Sequence, residues 1–179
     1  MTTRTRPTTR AATPAAPPTE VAAPDERIAL AAALIAGAVY TATAARDVVV
    51  GDSGEFLAAS ARLGVAHPPG YPLLVILGHA FSWLPIGPLP FRINFLAVVC
   101  GAFTVGFVCA TAVRLGAPRV AAVVAALAIA FNPLFWEWSL AIEAFPLNNL
   151  IASALVYCLV RWHARPNVSA FLIAAAVNY

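Results

Sequence analysis

The chain has 179 residues, 61% of them hydrophobic and 11% charged. A soluble domain carries about a quarter charged residues, so this composition excludes an ordinary soluble globule and points to a membrane protein. All eleven cations are arginine, and the formal net charge is +3. In chain order, residues 1–27, "MTTRTRPTTRAATPAAPPTEVAAPDER", hold Thr, Pro, Ala and Arg with almost nothing to bury. That stretch is expected to be a disordered tail. Four apolar runs without a charge follow, at 28–45, 93–113, 120–135 and 144–160. A helix needs about 20 apolar residues to cross a bilayer, within a range of about 17 to 25. The third run reaches that length only with Trp136 and its neighbours as interface anchors. A fifth run starts at Val168 and meets the chain end at Tyr179, too soon to span.

These runs predict an all-α integral membrane protein. About four transmembrane helices plus a partial fifth form a domain over 28–179, behind the tail, and the chain reads as an N-terminal fragment. A cleaved signal peptide is the weaker reading of residues 1–45, because the apolar run is longer than a signal core and more runs follow. The link at 46–91 is long and holds its own apolar stretch, Tyr71 to Leu84. That stretch is short for a span and suits an interfacial or re-entrant helix. "LPIGPLPFR" should end it. Cys100, Cys109 and Cys158 lie inside apolar runs with no CxxC or Cys/His cluster, so they read as packing residues. Asn167-Val-Ser169 matches a glycosylation acceptor pattern by chance.

Arginine sets the threading. With a cytoplasmic N-terminus, Arg4, Arg6, Arg10, Arg27, Arg114, Arg119, Arg161 and Arg165 lie inside, and only Arg46, Arg62 and Arg92 lie outside. The acids after Glu26 (Asp47, Asp52, Glu55, Glu137 and Glu143) all fall in the outer loops or at their edges. The expected location is the cell membrane, multi-pass, with the bilayer as a partner and no nucleic acid.

The outer loops hold the residues that carry chemistry. Asp52 and Glu55 are three apart, on one face of a helix's first turn. Their bland reading is a capping arrangement, with Asp52 accepting backbone N–H groups and Glu55 reaching back to the cap. Their functional reading is a carboxylate pair at a membrane boundary, which is costly there unless solvated, paired or used. "HPPGYP", residues 67–72, follows as a stiff segment carrying His67 and Tyr71. It suits a preorganised site and equally a plain membrane re-entry. In the second outer loop, Trp136 and Trp138 read as interfacial residues. Glu143 stands at the mouth of the fourth run, and Asn148 and Asn149 lie deeper, where an amide usually bonds a neighbouring helix. Arg92 and Asn94 open the second run. Arg92 either snorkels to head groups or holds a phosphate through its fork of donors.

Three segments in order, "GDSGEFLAASARLGVAHPPGYPLLVILGHAFSWLPIG", "RINFLAVVCGAF" and "WSLAIEAFPLNNL", resemble the start of a protein O-mannosyltransferase-like family of multi-spanning membrane proteins. The resemblance covers about residues 45 to 160. It implies the architecture of the GT-C glycosyltransferases, with a catalytic acid in the first extracytoplasmic loop. It also implies transfer of a sugar from a polyprenyl-phosphate donor to a protein or glycan acceptor outside the cytoplasm. Asp52 matches the position of that acid and Glu55 is its neighbour. His67, Tyr71, Arg92, Asn94, Glu143 and Asn148 become the expected substrate-binding residues. Some enzymes of this superfamily use a divalent metal. Asp52 and Glu55 alone supply few oxygen ligands, which leaves metal dependence open. The competing readings are a transporter-like module, against which stands the lack of charge within the runs, and a non-catalytic membrane fragment.

Overall fold

The computed structural model describes residues 26–164. The expected tail up to residue 25, the fifth apolar run and the Asn167-Val-Ser169 pattern lie outside the described residues. Among those described, every regular element is a helix: α1 Glu26–Thr43, α2 Ser53–Arg62, α3 Pro72–Ser82, α4 Leu89–Arg114, α5 Arg119–Ala130, α6 Pro133–Trp138 and α7 Ala144–Ala164. Two of them, α4 and α7, are long and apolar enough to cross a membrane. The apolar part of α1 and all of α3 and α5 fall below that length.

The 26-residue α4 is the axis of the fold; α1, α3, α5 and α7 all pack on it. Small side chains make the approach of α1 and α5 to α4 close. Ala32, Ala36, Ala122, Ala126 and Ala130 are at most 1% exposed, and the last three repeat every four residues down one face of α5. A Cβ on Gly106 of α4 would meet Ala33 Cβ of α1 at 3.2 Å and the Ala29 carbonyl at 3.4 Å. Small residues that let helix backbones approach are the usual means of packing apolar helices together. A second apolar cluster joins α2 and α3 to α4 through Phe56, Leu57, Leu74, Val75, Ile93 and Leu96.

The 120–135 run is not one helix. The α5 helix stops at Ala130, and Asn132 accepts hydrogen bonds from the backbone N–H groups of Leu134 and Phe135 to start α6. Asn is a preferred residue at a helix start, and Pro133 sits in the first turn, where its missing N–H costs nothing. The break lies beside the end of α1, where the Tyr40 hydroxyl donates to the Ala130 carbonyl at 2.7 Å and Trp136 Nε1 donates to Thr43 Oγ1 at 3.1 Å.

The expected first outer loop is largely helical, with α2 and α3 packed on each other. The apolar stretch beginning at Tyr71 forms α3. Chain direction then sorts the charges. Arg27, Arg114, Arg119 and Arg161 sit at the start of α1, the end of α4, the start of α5 and the end of α7, which is one end of the bundle. Asp47, Asp52, Glu55 and Glu143 sit at the other, together with Arg46, Arg62 and Arg92.

Candidate functional site

The acidic end is tied together by one buried amide. Asn94, in the second turn of α4, is fully buried. Its Nδ2 donates to the carbonyls of Ala45 at 3.1 Å and Asp47 at 3.5 Å. Its Oδ1 accepts the backbone N–H of Ile142 at 3.0 Å. A further bond, from the Ala45 N–H to the Leu140 carbonyl at 3.0 Å, runs directly between the two acidic segments. The loop before α2 and the loop before α7 are thereby fixed to α4 and to each other.

Asp52 occupies the cap position of α2 and makes no side-chain capping bond. Its side chain is 63% exposed. Glu55 does not reach back to that cap either. One carboxylate oxygen accepts the backbone N–H of His67 at 2.6 Å, and the other meets the His67 ring at Nδ1, 2.9 Å away. A carboxylate only accepts, so Nδ1 carries the proton of that bond. The other ring nitrogen, Nε2, lies 3.9 Å from Asp52 Oδ2. The two carboxylates are thus bridged by the imidazole rather than spent on capping. Phe56 and Tyr71 frame it, with ring centres 5.6 and 5.3 Å from that of His67 and 5.1 Å from each other. Tyr71 holds a left-handed backbone, φ 46°, just before Pro72 opens α3.

The electrostatics follow from these contacts. The hydrogen bond from His67 holds the Glu55 carboxyl below its ordinary range. The same bond raises the imidazole, helped by the charges of Glu55, Asp52 and Glu143. Glu143 is 8% exposed. Burial pushes its carboxyl up, the Asp52 charge adds to that, and a hydrogen bond from the Ser53 backbone N–H opposes it.

The remaining expected residues are dispersed. Arg92 donates through Nε to the carbonyls of Ile86 at 3.2 Å and Gly87 at 3.0 Å, and through Nη1 to that of Ser82 at 3.4 Å. Its guanidinium braces the turn between α3 and α4. Asn148 is exposed on α7 and lines a groove of about 420 Å³ between the starts of α3 and α7, with Tyr71, Leu74, Phe145 and Leu147. That volume is in the range of small-ligand sites, and Tyr71 joins the groove to the His67 cluster. A second groove, about 490 Å³, lies between α4 and α7 and is lined by no acidic residue. Phe56 was not expected at the site. Its place four residues after Asp52, on the same face of α2, is the signal for it.

The donor set does not fit a divalent metal. Both oxygens of Glu55 are engaged by His67, and no three His, Cys, Asp or Glu side chains among the described residues are grouped to hold an ion.

The family model described as "Protein O-mannosyl-transferase TMEM260 N-terminal domain" matches residues 52–177. The Protein O-mannosyl-transferase TMEM260 of Mus musculus is 40% identical over 126 residues, covering 70% of this chain and 18% of that protein. The protein of the same name from Dictyostelium discoideum is 31% identical over 133 residues, covering 73% of this chain and 16% of that protein. The chain therefore spans less than a fifth of these relatives. No solved structure matches it. By the extent of the family match, which opens at Asp52 itself, this chain belongs to the TMEM260-type protein O-mannosyl-transferases through their N-terminal domain.

Proposed function

We propose that the acidic end of this chain is the catalytic face of a membrane glycosyltransferase. It moves a mannosyl group from a polyprenyl-phosphate donor to a hydroxyl of a protein or glycan acceptor outside the cytoplasm. The observation that carries this reading is the state of Asp52: exposed, without a capping bond, and 3.9 Å from an imidazole whose other nitrogen is held by Glu55.

An acceptor hydroxyl is a weak nucleophile. Asp52 takes its proton while the oxygen forms a bond to the anomeric carbon. The bond from that carbon to the phosphate oxygen breaks, and its electron pair leaves with the lipid phosphate. Positive charge builds on the sugar in the transition state, and the nearby carboxylates stabilise it. The departing phosphate needs a cation. His67 fills that role, because Glu55 keeps its ring protonated to higher pH, whereas Arg92 is committed to the α3–α4 turn. The groove between α3 and α7 receives the start of the isoprenoid chain beside the reacting centre.

The threading is consistent with an outer location for this face. Arg27, Arg114, Arg119 and Arg161 lie at the opposite end of the bundle, against Arg46, Arg62 and Arg92 at this one, and the arginines of residues 1–25 and Arg165 add to the bias toward cytoplasmic cations in the sequence. The relatives' printed names support mannosyl transfer as the chemistry. The test is transfer from polyprenyl-phosphate mannose in membranes, wild type against Asp52→Asn. The proposal expects transfer to vanish while membrane insertion stays normal. A variant that inserts and still transfers at the wild-type rate removes Asp52 from the chemistry.

A further inference from the structure

The end of the bundle away from Asp52 holds cations with few anions to match them. Arg27, Arg114, Arg119 and Arg161 lie there, whereas Asp47, Asp52, Glu55, Glu137 and Glu143 belong to segments at the other end. Among the described residues, Glu26 at the start of α1 is the single acid on this side.

Arg114 is the most constrained of these cations. It closes the last turn of α4, and its guanidinium carbon lies over the Tyr157 ring of α7, 5.1 Å from the ring centre. Its Nε is buried without a hydrogen-bond partner. Arg114 makes no hydrogen bond or ion pair among the described residues. A guanidinium stacked on an aromatic face has already given up much of its rotamer freedom. Its Nη donors are therefore held in place for an acceptor that the described chain does not supply. A cation in the last turn of a helix also meets the partial negative charge of that helix end, but this role calls for no aromatic partner.

The surface leading away from Arg114 is apolar. Phe107 and Phe103 precede it by seven and eleven residues, so the three share one stripe of α4. Phe107 packs on Tyr157 with ring centres 5.5 Å apart, and Phe103 is 53% exposed. On α7, Arg161 follows Tyr157 by four residues, which places it on the same face one turn nearer the helix end, and it is exposed. The α7 helix is otherwise nearly bare, with 6% of its apolar stretch buried. From the end inward, this face offers two cations around a tyrosine and then aromatic rings.

We propose that this face of α4 and α7 binds an anionic phospholipid, with its phosphate at Arg114 and Arg161 beside Tyr157 and its acyl chain along Phe107 and Phe103. Head and tail of such a lipid match the order of charge and apolar surface. Basic pockets between helices at a membrane surface hold anionic head groups in this way. Two guanidiniums without a neighbouring carboxylate favour a head group of net negative charge over a zwitterionic one. The site lies away from Asp52 and from the groove between α3 and α7, so it stands whether or not Asp52 takes part in mannosyl transfer. A further protein helix on this face would bring no phosphate to the guanidiniums, and the test would show it as indifference to lipid.

The test follows the unfolding temperature of the full chain in neutral detergent. Phosphatidylglycerol, phosphatidylcholine and glycerol phosphate are added in turn, the last carrying the anion without a tail. Phosphatidylglycerol should raise the unfolding temperature by about 5 °C at saturation, as a ligand of the folded state does. Phosphatidylcholine should raise it much less, and glycerol phosphate not at all. Arg114→Gln and Arg161→Gln should each shrink the phosphatidylglycerol shift, while Arg62→Gln, at the acidic end, should keep it in full. Should Arg114→Gln fail to fold, the exposed Arg161→Gln carries the comparison. An undiminished shift in Arg161→Gln, an equal response to the two lipids, or no response to phosphatidylglycerol would each overturn the proposal. A full response to glycerol phosphate would overturn it as well, since the site would then take a free anion rather than a lipid.

Discussion

The two acidic segments hold their carboxylates in opposite ways. In the first, Asp52 and Glu55 are exposed and frame His67 at the surface. In the second, Glu143 is buried beside the Gly51 turn, next to Ile142, whose N–H is held by Asn94. An exposed carboxylate keeps its water and is available to a substrate. A buried one loses water and must be compensated by fixed N–H groups. On the proposed reading the difference divides the labour: the first segment offers the reactive groups, and Asn94 ties the second segment to the loop that carries them.

That contrast can be broken from either side, beginning with the largest effect. Asp52→Asn removes the proton acceptor and should cost about 10³-fold in transfer, measured with polyprenyl-phosphate mannose in membranes. Asn94→Ala strips a donor from the Ala45 and Asp47 carbonyls and an acceptor from the Ile142 N–H. Leaving the buried Ile142 N–H unpaired, with two part-buried carbonyls short of a donor, should destabilise the protein by about 2 kcal/mol, read by thermal unfolding in detergent. Filling the groove with Ala144→Trp should raise KM for the lipid donor by about tenfold with a smaller change in kcat; a change confined to kcat would show that the groove does not hold the donor. Arg92→Ala should lower stability by about 1 kcal/mol through the lost carbonyl bonds.

The smallest effect is a pH dependence from the surface pair. The folded Glu55 carboxyl lies below its ordinary value of 4.5. Its contribution is complete above that value and is lost as pH falls through the lowered folded one. The folded His67 lies above its ordinary value of 6.5. Its contribution is complete below that value and is lost as pH rises through the raised folded one. The pair therefore stabilises most between these two ordinary values. Glu55→Gln should lower the unfolding temperature within that window and flatten its fall on either side of it, and a profile identical to wild type would show that the pair contributes nothing.

Much of this arrangement was legible before any coordinates. Long charge-free apolar runs and arginine placement foretold a helical chain with most of its acids at one end, because burial and charge leave direct marks on composition. The break in the 120–135 run was harder to see, since its flanks are equally apolar. Its local signal was Asn132-Pro133, a residue pair that starts helices and ends them. The structural contacts of Asn94 and Arg92 were not legible at all. Both are polar residues at the mouth of an apolar run, and only the partners show that one clamps two loops and the other braces a turn. Glu143 likewise matched Asp52 in the sequence, and burial alone separates them. Long-range hydrogen bonds, such as Asn94 to Ile142, leave no trace in local pattern.

The account stands on Asp52 being a solvent-facing group at the extracytoplasmic surface. A cysteine placed there, Asp52→Cys, should react in intact cells with a membrane-impermeant maleimide, above the background of the native chain, in which Cys100 and Cys109 are buried. Labelling before any permeabilisation is the result expected. Labelling only after the membrane is opened would put the acidic end in the cytoplasm and contradict both the threading and the transfer reaction assigned to it.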